Sequence, residues 1–447
     1  MALSTSMTSR SRRWAAPALL TIALLTIALL LGGCGNAAPS SAPATPAPSA
    51  PPGATATAAA SPSPAASSSD APVDIAALYA EIEDQVVKLR GLQPKAPVAR
   101  NVIDQAGVRD LMTQKYREET PAALVKAAEA LYKELLLMPQ DASLDDLYVD
   151  LYSSSAAGMY DDKTKQLYVI SDAGAIGPVE KATYAHEYTH ALQDQTYGLK
   201  AVIGDATDQS DRSIARTAQA EGDAYLTMGL WAQANLTAAE IGQIASAKYP
   251  DAEAALARLP EIVKQPLLFP ATTGIGLAIA DWSKGGFAAI DKRFAAPPDS
   301  TEQILHADKL AAGEKPVDVS FPEDLASRLG TDWTIPIQDT MGEMQLEILL
   351  REGGASNSKD AAAGWGGDRV ALVGGPNGAV GVILDTVWDT EADAVEFQAA
   401  LEPLVAKLQA AGRSVAVLVP EPGRVVLVSG SSDDVLGRVA NVLGLAQ

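Results

Sequence analysis

Thr183-Tyr184-Ala185-His186-Glu187-Tyr188-Thr189-His190-Ala191-Leu192 holds two of the three histidines of a 447-residue chain, four positions apart, with a glutamate directly after the first. On a helix, positions i and i+4 share a face, so His186 and His190 can address one ion. Glu187, about 100° around from His186, reaches the space beside that ion. Two neutral imidazoles and an adjacent carboxylate suit a hydrolytic zinc site: the metal lowers the pKa of its water toward ~7 and the carboxylate takes the proton. The alternative is a surface helix with two incidental histidines, although the immediate neighbours are uncharged and Leu192 is apolar.

A catalytic zinc of this kind needs a third protein ligand. His306 is the next histidine, so the H-x-x-G-x-x-H extension of the metzincins is absent. Glu221, in Ala218-Gln219-Ala220-Glu221-Gly222-Asp223-Ala224, stands 31 residues after His190 among small and apolar neighbours. A carboxylate on an apolar helical face needs a partner, and a metal is one. The alternative makes Glu221 a cap or ion-pair partner, with Asp223 or another acid as the ligand.

Composition narrows the classes. Hydrophobic residues make up 47% and charged residues 20%, which excludes wholesale disorder. A net charge of −21 argues against a nucleic-acid surface. One cysteine, Cys34, excludes intrachain disulfides and cysteine-rich zinc sites. Arg10, Arg12 and Arg13 precede an uncharged, mostly apolar run over 14–31, the pattern of a secretory signal. The run closes with Leu31-Gly32-Gly33-Cys34, which resembles the bacterial lipobox, whose cysteine is lipidated; a short transmembrane helix with a chance cysteine is the alternative. Over 35–69 all but three residues are Ala, Pro, Ser or Thr, the composition of a tether.

The expected organisation is therefore a signal peptide over 1–33, the lipidated Cys34 and linker over 34–72, a mainly helical domain over 73–335, and a smaller C-terminal α+β domain over 336–447. In the first domain the apolar spacing predicts helices over 74–90, 121–137 (Thr120 N-cap, Pro121 N1), 179–197, 213–233, 238–248, 252–264, 274–282 and 286–294. A β-hairpin is expected from strands 157–160 and 166–170 around Asp161-Asp162-Lys163-Thr164. In the second, Val-rich strands are expected over 369–373, 380–388, 414–419 and 424–429, with helical patterns over 391–411 and 433–443 opened by Thr390 and Ser432. The fold class is thus α+β.

His186-Glu187-x-x-His190 followed by a glutamate on a later helix resembles the gluzincin branch of the HExxH zinc metallopeptidases. The words Ala185-His186-Glu187-Tyr188-Thr189-His190-Ala191-Leu192-Gln193-Asp194-Gln195, Glu221-Gly222-Asp223-Ala224 and Pro297-Pro298-Asp299-Ser300-Thr301-Glu302-Gln303-Ile304-Leu305-His306 are similar to those of bacterial envelope proteins carrying this site. The resemblance covers roughly 74–335. It implies a zincin-like domain holding one Zn²⁺ per chain on His186, His190 and Glu221. Glu187 would deprotonate water and later protonate the leaving amine of a peptide or protein substrate. It also implies an edge strand for substrate, sought in Gln166, Tyr168 and Ile170, and an oxyanion donor, sought in His306 with Tyr188 and Tyr225 behind it. Ordinary readings stand beside these: a surface hairpin, a capping histidine. Asp194 would orient an imidazole or face water. The whole implies a metallopeptidase held in the cell envelope by its lipid. The alternative is a zincin-fold binding lipoprotein that keeps zinc and cleaves little.

Overall fold

The computed structural model describes residues 74–154, 158–170, 176–204 and 208–445. The signal segment, Cys34 and the linker lie outside the described residues, as does the side chain of Ile170. The first half runs α1 (Ile75–Arg90), β1 (Ala99–Ile103), α2 (Gln105–Glu119), α3 (Ala122–Glu134), α4 (Leu144–Ser154), β2 (Gly158–Asp161), β3 (Gln166–Ile170), α5 (Pro178–Tyr197), α6 (Leu199–Ile203) and α7 (Ser210–Asn235). It continues through α8 (Ala238–Ser246), α9 (Pro250–Arg258), α10 (Glu261–Thr272), α11 (Gly274–Gly285), α12 (Phe287–Ala295), α13 (Thr301–Leu305), α14 (Ala307–Ala312) and α15 (Leu325–Leu329). The second half is β4 (Thr334–Asp339), α16 (Gly342–Gly353), α17 (Ser358–Ala362), β5 (Trp365–Gly374), β6 (Val380–Trp388), α18 (Glu391–Ala400), α19 (Glu402–Ala410), β7 (Ser414–Glu421), β8 (Arg424–Gly430) and α20 (Asp433–Val442). The fold is α+β with two sheets, as the pattern predicts.

Local chemistry sets the boundaries. Asp74 caps α1 by accepting from the Ala76 and Ala77 amides, and Gly91, at φ 84°, ends it. Pro178 opens α5 at its first turn, the Glu180 side chain accepts from the Gly177 amide, and Gly198, at φ 74°, closes it. Several expected elements shift. Pro121 is the N-cap of α3, because Thr120 already ends α2, which the pattern did not reveal. The helix expected over 252–264 breaks into α9 and α10 around Pro260, and that over 391–411 into α18 and α19 at Leu401. β4 begins at Thr334, so a domain boundary at 335/336 would cut a strand.

α5 and α7 are the axle of the first half. Residues 182–194 of α5 and 218–228 of α7 are buried on every side. A helix buried all round is normally apolar, yet these carry His186, Glu187, His190, Gln193, Glu221 and Asp223. Tyr79, Ile82 and Val86 of α1 pack with Tyr184, Tyr188 and Leu192 of α5 and with Trp231 of α7. Each such buried side chain contributes ~1.5–3 kcal/mol. α7 and α11 meet backbone to backbone: a Cβ on Gly222 would stand 2.1 Å from the Gly274 carbonyl oxygen, and one on Gly274 2.1 Å from that of Ala218. Among the described residues one stretch, Glu261–Gly285, is long and apolar enough by length and composition to cross a membrane. It is α10 and α11, packed along α7.

The small sheet has the order β1-β3-β2, with β1 parallel to β3 and β2 antiparallel to it. This corrects one expectation. Gln166, Tyr168 and Ile170 lie on the central strand, Gln166 and Tyr168 paired on both sides and Ile170 with Ile103, so β3 is not an edge that can accept another strand. The outer edge beside α5 belongs to β2, and there the Tyr160 amide donates to Glu187.

The second half is a five-stranded antiparallel sheet, order β4-β5-β6-β8-β7. One face packs on α15 and α20 through Val373, Ile383, Val426 and Val428. The opposite face, with Val370, Leu372, Leu384 and Leu427, joins the cluster that holds Leu131, Tyr152 and Phe269 of the first half. Polar ties reinforce this shared core. Asp368 accepts from the Met341 and Gly342 amides, the Ser210 amide donates to Asp339, and Arg369 pairs with Asp208 at 2.9 Å.

Candidate metal centre

α5 presents His186 and His190 one turn apart, and α7 crosses it to deliver Glu221. The two Nε2 atoms are 3.1 Å apart; Glu221 Oε2 is 3.4 Å from His186 Nε2, and Oε1 is 3.5 Å from His190 Nε2. In a tetrahedral zinc site with bonds of ~2.0–2.1 Å, ligand atoms are separated by about 3.3 Å. The donor set and its spacing therefore fit the ion. The charges fit as well. Burial opposes charging of His190, yet the Glu221 carboxylate outweighs it and holds the imidazole up at about 9. Burial would raise Glu221, but His190 and His186 bring it down to about 2. Glu221 thus favours positive charge here, carried by the His190 proton, and a bound zinc ion would take that proton's place on a neutral imidazole.

Glu187 lies beside the trio, pushed up by burial against the pull of the two histidines. Its Oε2 accepts from the Tyr160 amide of β2 at 2.8 Å, while Oε1 is buried with no hydrogen-bond partner. His186 Nδ1 and Glu221 Oε2 are also buried without one. Gly158 is what lets β2 lie this close: a Cβ there would meet Thr183 Cγ2 at 2.9 Å and Glu187 Cγ at 3.3 Å. The site is closed, with His186 and Glu187 at 0% exposure, His190 at 2% and Glu221 at 3%.

Of the other expected residues, Tyr225 is at the site, its ring 4.5 Å from that of His186. Tyr188 stacks on Tyr184 instead, at 6.3 Å. His306 ends α13, and its Nε2 bonds Glu343 of α16 at 2.8 Å; no contact brings it to the trio, so the structure makes it a link between the halves. Gln166 Oε1 accepts from Asn101 and Tyr168 within the sheet. Asp194 neither orients an imidazole nor faces water: it accepts from the Tyr160 hydroxyl at 2.8 Å and pairs with Lys165. Asp223 is not a ligand, because Arg90 and Gln193 occupy its oxygens. Sequence reasoning missed Gln193, Arg90 and Tyr160. Gln193 had a signal, standing three residues after His190 on the same helical face.

Among the described residues a second group with ligand spacing is Glu302, Glu314 and Asp389. Its centre is filled by the Lys309 ammonium, which pairs with all three.

Residues 333–440 match a family described as Domain of unknown function (DUF8575). That span runs from the residue before β4 into α20 and contains none of the trio. No curated protein and no solved structure matches the chain.

Proposed function

We propose that this protein is a zincin-like zinc metallopeptidase of the gluzincin type, held outside the cytoplasm by a lipid on Cys34. The observation that carries the reading is the convergence of His186, His190 and Glu221 on one point, with a carboxylate oxygen of Glu187 left unpartnered beside it. A structural zinc site has no use for that fourth group. The lipid anchor rests on the arginines, apolar run and lone cysteine of the N-terminus.

His186, His190 and Glu221 would hold the zinc, which supplies Lewis acidity to a peptide carbonyl and acidifies water toward a pKa of ~7. The Tyr160 amide holds Oε2 of Glu187, so Oε1 is the atom that takes the proton from water and passes it to the leaving nitrogen. Burial raises the basicity of that carboxyl. The outer edge of β2, whose Tyr160 amide donates to Glu187, is the edge along which an extended peptide would align once the site opens. Tyr225, against the His186 ring, takes the place of His306 as candidate oxyanion donor.

One observation favours a second reading, a lipoprotein that holds zinc without cleaving. The trio and Glu187 are sealed from solvent, and hydrolysis needs the site to open. Zinc content and cleavage of a peptide library, measured on the parent and on Glu187→Gln, separate the two. The peptidase reading expects both proteins to hold one zinc and cleavage to fall at least ~10²-fold in the variant. Zinc without cleavage in the parent moves the second reading forward; absence of zinc overturns both.

A further inference from the structure

Behind His190 runs a continuous buried chain of hydrogen bonds that ends in the N-terminal helix. His190 Nδ1 is 2.9 Å from Gln193 Oε1. Gln193 Nε2 donates to the Ala220 carbonyl at 2.9 Å and to Asp223 Oδ2 at 2.8 Å. With both amide hydrogens committed, the remaining Gln193 atom can only accept, so the proton of the neutral imidazole sits on Nδ1 and the lone pair on Nε2. That lone pair faces His186 and Glu221.

The chain continues outward. Asp223 Oδ1 accepts from Arg90 Nε at 2.8 Å, and beyond the hydrogen bonds Arg90 Nη2 forms an ion pair with Asp291 Oδ1 at 2.8 Å. The Tyr197 hydroxyl donates to the same Asp291 oxygen, and the guanidinium lies 4.7 Å over the Phe287 ring. Gln193, Asp223 and Arg90 are all buried. His186 has no such support: its Nδ1 is without a hydrogen-bond partner. A neutral amide turns the ring without adding charge to it. The charge stands one link further out, on Asp223, where Arg90 balances it.

We propose that Gln193 is the positioning residue of the metal centre, and that the chain His190–Gln193–Asp223–Arg90 makes α1, which follows the tether, a working part of it. The inference rests on the zinc reading of the trio but goes beyond it, since three ligands alone require nothing of α1. Groups that hold a ligand imidazole are commonly worth ten- to a hundredfold in metal affinity.

The test is the zinc dissociation constant of the full chain, by competition with a chromophoric chelator, with the melting temperature of the zinc-free protein as the check on folding. Gln193→Met, which keeps the volume and removes the acceptor, is expected to weaken zinc ten- to a hundredfold. Gln193→Glu, which in its neutral form offers the same oxygen to Nδ1 and a hydroxyl to Asp223, restores affinity to within about threefold of the parent. Arg90→Lys keeps the charge but loses the fork, and weakens zinc about three- to tenfold. Gln193→Met binding zinc like the parent overturns the proposal, as does equal weakening by Met and Glu. If Gln193→Met fails to fold, an unchanged affinity in Arg90→Lys overturns it instead. A parent that binds no zinc is a different failure, that of the metal reading itself.

Discussion

Gly222→Ala is the substitution whose outcome follows most directly from the packing. An added Cβ would stand 2.1 Å from the Gly274 oxygen, 2.5 Å from its carbonyl carbon and 3.2 Å from the Ile275 nitrogen. Ordinary contact starts near 3.4 Å, and all three obstacles are backbone. α7 and α11 must therefore part by more than 1 Å at their crossing. Ala gains ~1 kcal/mol of helix propensity over Gly. Overpacking against a rigid neighbour costs ~3 kcal/mol, so the net loss is about 2 kcal/mol. At ~2.1 cal/mol/K of unfolding entropy per residue, a folded chain of this length shifts by about 1.3 °C per kcal/mol, so the melting temperature falls by roughly 2–3 °C. Because Glu221 is the adjacent residue, bound zinc should fall too. Gly229, on the same helix with nothing within 4 Å of its built Cβ, is the internal control: Gly229→Ala gains up to ~1 kcal/mol and melts slightly higher. Thermal unfolding followed by circular dichroism, with zinc content on the same samples, reads both. If Gly222→Ala melts with or above Gly229→Ala, the crossing is not tight and the reasoning fails.

Two further outcomes are expected. Glu302 shares the Lys309 ammonium with Glu314 and Asp389, and burial, with Glu343 and Asp389 adding and Lys309 opposing, pushes its carboxyl up to about 8. A raised acid contributes stability that is complete below its ordinary value near 4.5 and lost as pH rises through about 8, so the melting temperature should fall from pH 5 to pH 8.5. Glu302→Gln should flatten that fall, and an unchanged profile in the variant would refute the assignment. Chelation should lower the melting temperature by several degrees, since ligand at a hundredfold its Kd stabilises by ~2.7 kcal/mol. Zinc should restore it and magnesium should not, because magnesium requires octahedral oxygen ligands; a melting temperature indifferent to chelator counts against a metal at the trio.

The parts of the site written as local spacing were legible in the chain. His186, Glu187 and His190 follow from one helical turn, and Glu221 from a carboxylate among small residues that had to be buried. What distant segments contribute was not. β1 is five residues, two of them Arg100 and Asn101, and it becomes a strand by pairing in parallel with β3 more than sixty residues on. That pairing turns β3 from an edge into a centre. α2 hides Val108, Met112 and Tyr116 at spacing four within a charged sequence, which masked its apolar face. Arg90 reads as a basic residue in the last turn of α1, and only the tertiary structure turns it inward to Asp223. The break at Pro260, by contrast, was readable, since proline removes a backbone donor.

The core shared by the two halves bears on how the chain can be synthesised. Leu131, Tyr152 and Phe269 find their partners Leu372, Leu384 and Leu427 only when the last strands have been made. A chain delivered N-terminus first, from a ribosome or a translocation pore, presents α5 and α7 long before β8, and until then the first half carries an open apolar flank. Such a flank invites chaperones and aggregation. A fragment cut ahead of residue 333 would bare the same flank permanently, and the severed sheet would carry its mirror, so neither piece would be a self-sufficient soluble module.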